Sequence, residues 1–184
     1  MRNLLILGLV VSVFYLGSCN DDEDATDSDG EVDISLDNLS PGKGIVEVSG
    51  AEDYSFNSLV FGANLSATIN DKEYRQNRIT LRSDQPDDDR RVAMFFYIPE
   101  SLGQTVPPNG THPVTFDVAA LDQTYVAIFV EGEVDSYNSN SLTTGTLTVS
   151  ESSPENLTFN VVFDLQKLNS FDDREISLKG AFKF

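Results

Sequence analysis

Cysteine, histidine and tryptophan are nearly absent from this chain of 184 residues, which has one cysteine, one histidine and no tryptophan. A single thiol allows no intramolecular disulfide, so the fold depends on its core. One imidazole, at His112, cannot supply a zinc site built from several histidine and cysteine ligands. Bases are also scarce, with 12 against 30 acids and a net charge of −18. Phosphate backbones repel such a chain, so we expect no nucleic acid partner.

The N-terminus has the pattern of a secretion signal. Arg2 gives a positive start, and thirteen largely apolar residues follow, from Leu4 to Leu16. At about 1.5 Å per residue this run reaches roughly 20 Å, which is short of a hydrocarbon core about 30 Å thick. The sequence Leu16-Gly17-Ser18-Cys19 resembles a bacterial lipobox, in which the cysteine is diacylated and becomes the first mature residue. We predict a lipoprotein signal peptide over residues 1–18 and lipid attachment at Cys19; a chance cysteine after an ordinary cleaved signal is the alternative.

Acidic residues dominate the stretch after Cys19. Seven of the eleven residues from Asp21 to Glu31 are acids, and none of the others is an apolar residue larger than alanine. Such a segment cannot repay the entropy of ordering, so we predict a solvated tether over residues 19–31. An EF-hand calcium loop is the alternative, but aligning Gly30 with its glycine places Ala25 and Leu36 where the loop needs acids.

The same acids bear on where the protein is displayed. Acids directly after a lipid-bearing cysteine resemble the surface-export signal of lipoproteins in Bacteroidota. We therefore expect an outer-membrane lipoprotein that faces the cell exterior, with the periplasmic side as the alternative. The remaining residues, 32–184, are predicted to form a single β domain with 23 acids, 11 bases and a net charge of −12.

Six of those bases lie close together in the sequence. One interpretation is an anion-binding patch. The other, which we favour, is a polar strand face that balances nearby acids, chiefly Asp84 and the run Asp87-Asp88-Asp89. The bases concerned are Lys72, Arg75, Arg78, Arg82, Arg90 and Arg91.

Apolar and polar residues alternate with a period of two from residue 32 onward. Successive side chains of a strand point to opposite sides, so each alternating segment presents one face to a core. Short polar connections favour antiparallel pairing, and we predict an all-β antiparallel β-sandwich, with a closed, lipocalin-like antiparallel β-barrel as the alternative. The predicted strands are residues 32–37, 44–49, 59–69, 74–83, 90–98, 111–118, 124–134, 143–150, 157–167 and 175–184.

Three details refine this prediction. Residues 136–141 have the composition of a polar loop, and a short helical turn is expected near residues 99–102. The segment from Val92 to Ile98 is apolar on both faces, which indicates a central strand covered on both sides. Within it, Phe95 and Tyr97 are expected to pack in the core; lining an apolar pocket is the alternative.

Several short motifs follow one another in a recognisable order. They are Ala67-Thr68-Ile69-Asn70 with Tyr74, Asn109-Gly110-Thr111, the strand Gly145 to Val149 with its hairpin partner Asn156 to Phe159, and the closing strand Ile176 to Phe184. This order, over roughly residues 60–184, resembles a family of uncharacterised small β-rich surface lipoproteins of Bacteroidota. That family usually ends Ser-Gly-Thr-Phe-x-Phe, whereas this chain ends Lys179-Gly180-Ala181-Phe182-Lys183-Phe184. The resemblance implies a β-rich exported domain and brings no catalytic residue with it.

No motif in the chain specifies a catalytic or metal site. His112 lies in the segment Asn109 to Pro113 and is expected to be a solvated turn residue rather than a catalytic base. Solvated turns are also expected at Asp84 with Asp87 to Asp89, and at Asp172-Asp173, with calcium ligation as the alternative. We predict no cofactor and no metal.

These patterns favour a lipid-anchored, surface-displayed, non-enzymatic domain. Its expected partners are the membrane, through lipid on Cys19, and an unknown protein or glycan ligand; we expect a monomer. Abundant acids leave a carboxylate-dependent polysaccharide hydrolase as one alternative function. An integral outer-membrane barrel is another, because the alternation that ends at Phe184 is similar to the final strand of such barrels.

Overall fold

An antiparallel sheet closed on itself forms the body of the protein in the computed structural model, which describes residues 34–115 and 122–184. The described residues also include two short 3₁₀ turns, Leu36–Asn38 and Glu100–Leu102. The strands are β1 (Lys43–Gly50), β2 (Tyr54–Ile69), β3 (Lys72–Ser83), β4 (Arg91–Pro99), β5 (Gly110–Thr111), β6 (Tyr125–Glu131), β7 (Ser136–Asn138), β8 (Thr144–Ser153), β9 (Thr158–Ser170) and β10 (Glu175–Lys183).

Eight of these strands form a ring. Their order is β10-β1-β2-β3-β4-β6-β7-β9, and β9 pairs back with β10. β8 pairs with the same edge of β9 as β7 does, and the short β5 pairs with β8. The predicted all-β antiparallel class is confirmed, and of the two predicted architectures the barrel is the one that forms. The reason is that β10 pairs with β1 on one side and β9 on the other, so two separate sheets do not arise.

The core fills the inside of the barrel with side chains from alternate positions. In the wall formed by β3, β4 and β6, Ile79 lies opposite Met94, and Met94 lies opposite Ile128; all three are fully buried. The Phe96 ring on β4 meets the Phe159 ring on β9 edge to face, with centroids 5.4 Å apart. The period of two seen in the sequence therefore corresponds to an apolar interior and a largely polar outer surface.

Most predicted strands are confirmed, with three corrections. Residues 32–37 were expected to be a strand, but their described part leads into the turn Leu36–Asn38, in which the Asp37 N–H donates to the Ser35 hydroxyl. Residues 111–118 are a strand only at Gly110–Thr111, followed by one bridge from Val114 to Val126; residues 116–118 lie outside the described part. Residues 136–138 form β7 rather than a loop, because Tyr137 is buried in the core. The helical turn near residues 99–102 is confirmed.

In the described part of the chain, no helix has both the length and the apolar character needed to cross a bilayer.

The strands of the barrel are unequal in length, and this makes its two ends different. β1 pairs with β2 only from Tyr54 to Leu59, whereas β3 pairs with β2 as far as Ile69. Residues 61–69 of β2 therefore extend beyond β1 and pair on one side only, with residues 72–80 of β3, which pair in turn with β4 from Tyr74 onward. We call these segments of β2 and β3 the rim ribbon, and their end of the barrel the rim end. The opposite end, called the sealed end, carries the turns between β1 and β2, β3 and β4, β6 and β7, and β9 and β10.

Candidate functional site

A cavity of about 370 Å³ opens at the rim end of the barrel. Its volume lies within the range of small-molecule sites, roughly 300–1,000 Å³. The strand register places even-numbered residues of the rim ribbon's β2 strand on the inward side, opposite odd-numbered residues of β3. The cavity is lined by Asn64, Leu65 and Ser66 of β2, Arg75 of β3, Thr105 of the loop after β4, and Leu157 of the β8–β9 turn.

Two aromatic rings pack together beside the rim ribbon. Phe184 packs against Phe159, with ring centroids 5.5 Å apart, and the two residues also exchange backbone hydrogen bonds. Gly62 lies directly against the Phe184 ring, so that a Cβ at this position would overlap it. The close approach of strand and ring requires a residue without a side chain at this position.

A layer of amide groups lies next to the rim cavity. Asn77 is only 1% exposed, and its Nδ2 donates to Asn64 Oδ1 at 2.7 Å and to the Thr105 carbonyl at 3.3 Å. Its Oδ1 accepts no hydrogen bond from any described residue, and neither the Thr105 hydroxyl nor the side-chain oxygen of the neighbouring Gln104 has a described partner. An unused buried acceptor costs about 1–3 kcal/mol, so this layer has capacity for added donors.

Arg75 gives the rim cavity a positive charge. Its side chain is half-buried at the cavity wall, and no carboxylate of the described residues forms an ion pair with it. No acid lines the cavity either. The domain as a whole is acidic, so the positive charge on this cavity wall is opposite in sign to the net charge of the domain.

Most other bases between residues 72 and 91 have partners. Arg82 pairs with Asp89 at 3.6 Å, Arg90 with Asp88 at 2.8 Å and Lys72 with Asp122 at 2.6 Å, while Arg91 pairs with Glu131. The Arg78 guanidinium lies over the Phe95 ring, 5.5 Å from its centroid. The predicted balancing of nearby acids is confirmed for Arg82 on β3 and for Arg90 in the β3–β4 turn. Arg75 is the base of this group that lines a cavity without an ion-pair partner among the described residues.

A buried carboxylate closes the sealed end. Glu52 is 8% exposed and accepts hydrogen bonds from the backbone N–H groups of Glu133 (2.8 Å) and Asp135 (3.1 Å) and from the Tyr137 hydroxyl (3.0 Å). Burial, together with the hydrogen bond to Glu52, raises the pKa of Tyr137 to about 12. The β1–β2 turn and the β6–β7 turn are thereby held together through one side chain.

Arg90 completes this seal. Its guanidinium donates two hydrogen bonds to Asp88, each 2.8 Å long, pairs with Glu133 at 3.1 Å and lies 4.7 Å from the centroid of the Tyr54 ring. The hydrogen bond from Arg90 holds the pKa of Asp88 well below its usual range. A cavity of about 410 Å³ here is lined by Asp87 to Arg90 and Glu131 to Glu133. A general acid needs a raised pKa, so the lowered one at Asp88 suits a structural role.

The structure places several predicted site residues differently from the expectation, and others lie outside the described residues. His112 is 8% exposed rather than solvated, because its Nε2 donates to the Pro108 carbonyl at 2.8 Å and its N–H donates to Leu147 in β8. Phe95 and Tyr97 face outward and lie outside the main apolar cluster, contrary to the expectation of core packing; Tyr97 stacks on Tyr125 at 4.8 Å. Cys19, the acidic run and Gly30 lie outside the described residues. Within the described ranges, no three His, Cys, Asp or Glu side chains are placed to hold a metal ion.

Sequence reasoning did not find the residues of the rim cavity. Asn64, Asn77, Thr105 and Leu157 belong to ordinary strand and turn patterns, and Arg75 was one base among six. A signal was nevertheless present, because Asn64, Ser66 and Asn77 put polar side chains on the face that is mostly apolar elsewhere in β2 and β3. Polar residues at inward positions near a strand end indicate that the barrel interior is open to water at that end.

The chain matches no family model, no curated protein and no solved structure. The resemblance to small Bacteroidota lipoproteins over residues 60–184 therefore stays a prediction. What the protein binds has to be argued from the geometry of the rim cavity itself.

Proposed function

We propose that this protein is a lipid-anchored, non-enzymatic binding domain whose rim cavity takes a small anionic ligand rich in hydroxyl groups, such as an acidic sugar. The observation that carries the proposal is Arg75, a half-buried cation without a described ion-pair partner, at the wall of a cavity that no acid lines. An arginine in such a setting matches a carboxylate in charge and in its paired hydrogen-bond geometry.

Buried acceptors beside the cavity lining favour the same class of ligand. Asn77 Oδ1, on a side chain that is hydrogen-bonded to the lining residues Asn64 and Thr105, and Gln104 Oε1, next to Thr105 in the chain, have no described donors, and hydroxyl groups supply such donors. Leu157 contributes an apolar wall against which the carbon face of a sugar ring can pack. A cavity of about 370 Å³ is sized for one or two sugar rings.

Display on the outside of the cell is the second part of the proposal. It rests on the lipobox-like Leu16 to Cys19 and on the acidic segment that follows. The packing of the barrel favours a lipid anchor over an integral barrel, because its interior is filled with apolar side chains, whereas barrels that span a membrane have a polar interior and an apolar outer band. In this arrangement lipid on Cys19 holds the domain at the outer membrane, and the tether carries it away from the surface.

Binding is tested by isothermal titration with glucuronate and, as a matched neutral probe, with glucose. We expect glucuronate to bind more tightly than glucose, and Arg75→Gln to weaken glucuronate by about tenfold or more while leaving glucose unchanged, because only the acid pairs with the guanidinium. Arg78→Gln is the control, because Arg78 lies on the outer face over Phe95. Equal affinity for the two sugars, or no binding of either, contradicts the ligand assignment.

The anchor is tested separately by mass spectrometry of the mature N-terminus and by membrane fractionation. We expect an acylated Cys19 and loss of membrane association in Cys19→Ala. A free thiol at Cys19 contradicts the anchor and leaves the binding proposal untouched.

A further inference from the structure

The strand that forms the rim is uncharged. From Tyr54 to Asn70 the chain has no acidic or basic residue, although 23% of its residues are charged overall. Asp53 and Asp71 bound this neutral run on either side. The run coincides with β2, so one strand of an acidic barrel carries no charge.

One edge of this strand is free along the rim ribbon. The pairing with β1 ends near Val60, whose N–H donates to the Gly42 carbonyl at 3.0 Å. Even-numbered residues of β2 therefore direct their backbone groups to that side, and beyond Val60 these are Gly62, Asn64, Ser66 and Thr68. Among the described residues, no strand pairs with this edge, and all four residues are exposed.

The free edge has none of the usual protection against pairing. Exposed edges are normally blocked by charges, proline or a bulge, and edges that lack these features pair with other strands. β2 has no proline, and its register with β3 runs without a shift from Ser58 opposite Ser83 to Ile69 opposite Lys72. Its outer face is apolar, with Phe61 54% exposed and Leu65 50% exposed. The edge is thus a continuous, neutral template about 30 Å long.

We propose that residues 61–69 of β2 pair antiparallel with the same residues of a second copy of this chain, about a two-fold axis at Leu65. This register sets Gly62 opposite Thr68 and Asn64 opposite Ser66, and it forms about eight inter-strand hydrogen bonds. It also aligns the apolar outer positions of the two copies, with Leu65 facing Leu65. The homodimer replaces the monomer expected from the sequence.

A second copy fits this edge for reasons of charge and symmetry. Domains with a net charge of −12 repel one another, and the neutral run of β2 is where two of them can approach without opposing carboxylates. A two-fold contact between identical edges pairs both edges at once and leaves neither open. Because Asn64, Leu65 and Ser66 also line the rim cavity, the cavities of the two copies become neighbours across the axis.

A disulfide across the axis tests the register. In a non-hydrogen-bonded pair the two Cα atoms are about 4.5 Å apart, which a disulfide can bridge. We expect full-length Leu65→Cys to form a covalent dimer on a non-reducing gel under mild oxidation. Ala63→Cys is the matched control, because its two copies lie roughly 13 Å apart in this register. The unmodified chain has Cys19 as its one cysteine, so any covalent dimer that it forms measures cross-linking through Cys19. Equal yields for Leu65→Cys and Ala63→Cys overturn the proposal.

A charge at the axis tests the dimer without a cross-link. Leu65→Glu sets two like charges against each other, and we expect the dimer dissociation constant, measured by light scattering of the full chain, to rise at least tenfold. Leu142→Glu is the matched control, because Leu142 is 65% exposed in the β7–β8 loop, away from this edge. A monomer at all concentrations in the unmodified chain, or an equal effect of the two substitutions, contradicts self-pairing. Circular dichroism confirms that each variant is folded.

Discussion

The two ends of the barrel use polar side chains in opposite ways. At the sealed end Glu52 accepts hydrogen bonds from Glu133, Asp135 and Tyr137, and Arg90 bonds both oxygens of Asp88. At the rim end Arg75 has no ion pair with the described residues, and Asn77 Oδ1 has no described donor. Satisfied buried groups rigidify a structure, whereas unsatisfied ones remain available to a ligand. The comparison indicates a structural role for the sealed end and supports the binding proposed for the rim end.

The largest effect on stability is expected at Glu52. Glu52→Ala leaves two partly buried N–H groups and the buried Tyr137 hydroxyl without their acceptor, and we expect it to lower the free energy of unfolding by about 3–5 kcal/mol. Urea denaturation measures the loss. The control is Glu175→Ala, an exposed acid at the same end, which should change stability by less than about 0.5 kcal/mol. A similar small loss for both variants would mean that the Glu52 network does not hold this end.

The next effect is expected at Asp88, and it depends on pH. The hydrogen bond from Arg90 lowers the pKa of Asp88 in the folded state, so its contribution is present above the ordinary pKa of about 3.9 and is lost as the pH falls toward the folded-state pKa. We expect Asp88→Asn to cost about 2 kcal/mol at pH 7, and the difference from the unmodified chain to shrink in acid below about pH 4. Denaturation at a series of pH values measures both. A difference that stays constant down to pH 2 contradicts the assignment.

A smaller effect is expected at the rim, where Gly62 lies against Phe184. Gly62→Val introduces a side chain into the space of the ring, and we expect a cost of about 1–2 kcal/mol. Combining it with Phe184→Ala should recover part of that cost, because the overlap disappears. A double-mutant cycle measures the coupling, and strictly additive losses would show that the two residues act independently.

The smallest effect on stability is expected at Arg75. Because no described carboxylate pairs with Arg75, we expect Arg75→Gln to change the free energy of unfolding by less than about 0.5 kcal/mol. The same substitution is expected to abolish most glucuronate binding, so the two measurements together separate a binding residue from a structural one. A loss of several kcal/mol would place Arg75 among the groups that hold the fold.

The core was predictable from the sequence because its signal is local. Alternation in residues 157–165 and 176–184 marks buried faces without knowledge of the partner strands. Closure of the barrel has no such signal, since it depends on β10 meeting both β1 and β9, and short β7 lies in a segment of loop composition. Local patterns therefore predicted the all-β class but did not distinguish a barrel from a sandwich.

The candidate site was less predictable, for the same reason. Glu52 is one of 30 acids, and its burial follows from the meeting of two turns more than 80 positions apart along the chain. Arg75 differs from Arg82 and Arg90 only in what lies around it, because those two have aspartates within reach. His112 is buried because β5 draws the chain against β8. Each of these outcomes is decided by long-range contacts that residue type and spacing do not encode.

The ring is joined by its first and last strands, with Gly44 opposite Phe182. In a chain that emerges from a ribosome or a translocase N-terminus first, β1 therefore lacks its β10 partner until β10 has emerged. Contacts so distant along the chain are the slowest to form, and a chaperone has its longest opportunity to bind during that interval. A product cut short before Glu175 lacks the shared neighbour of β1 and β9, so early termination yields an open ribbon exposed to proteases rather than a smaller barrel.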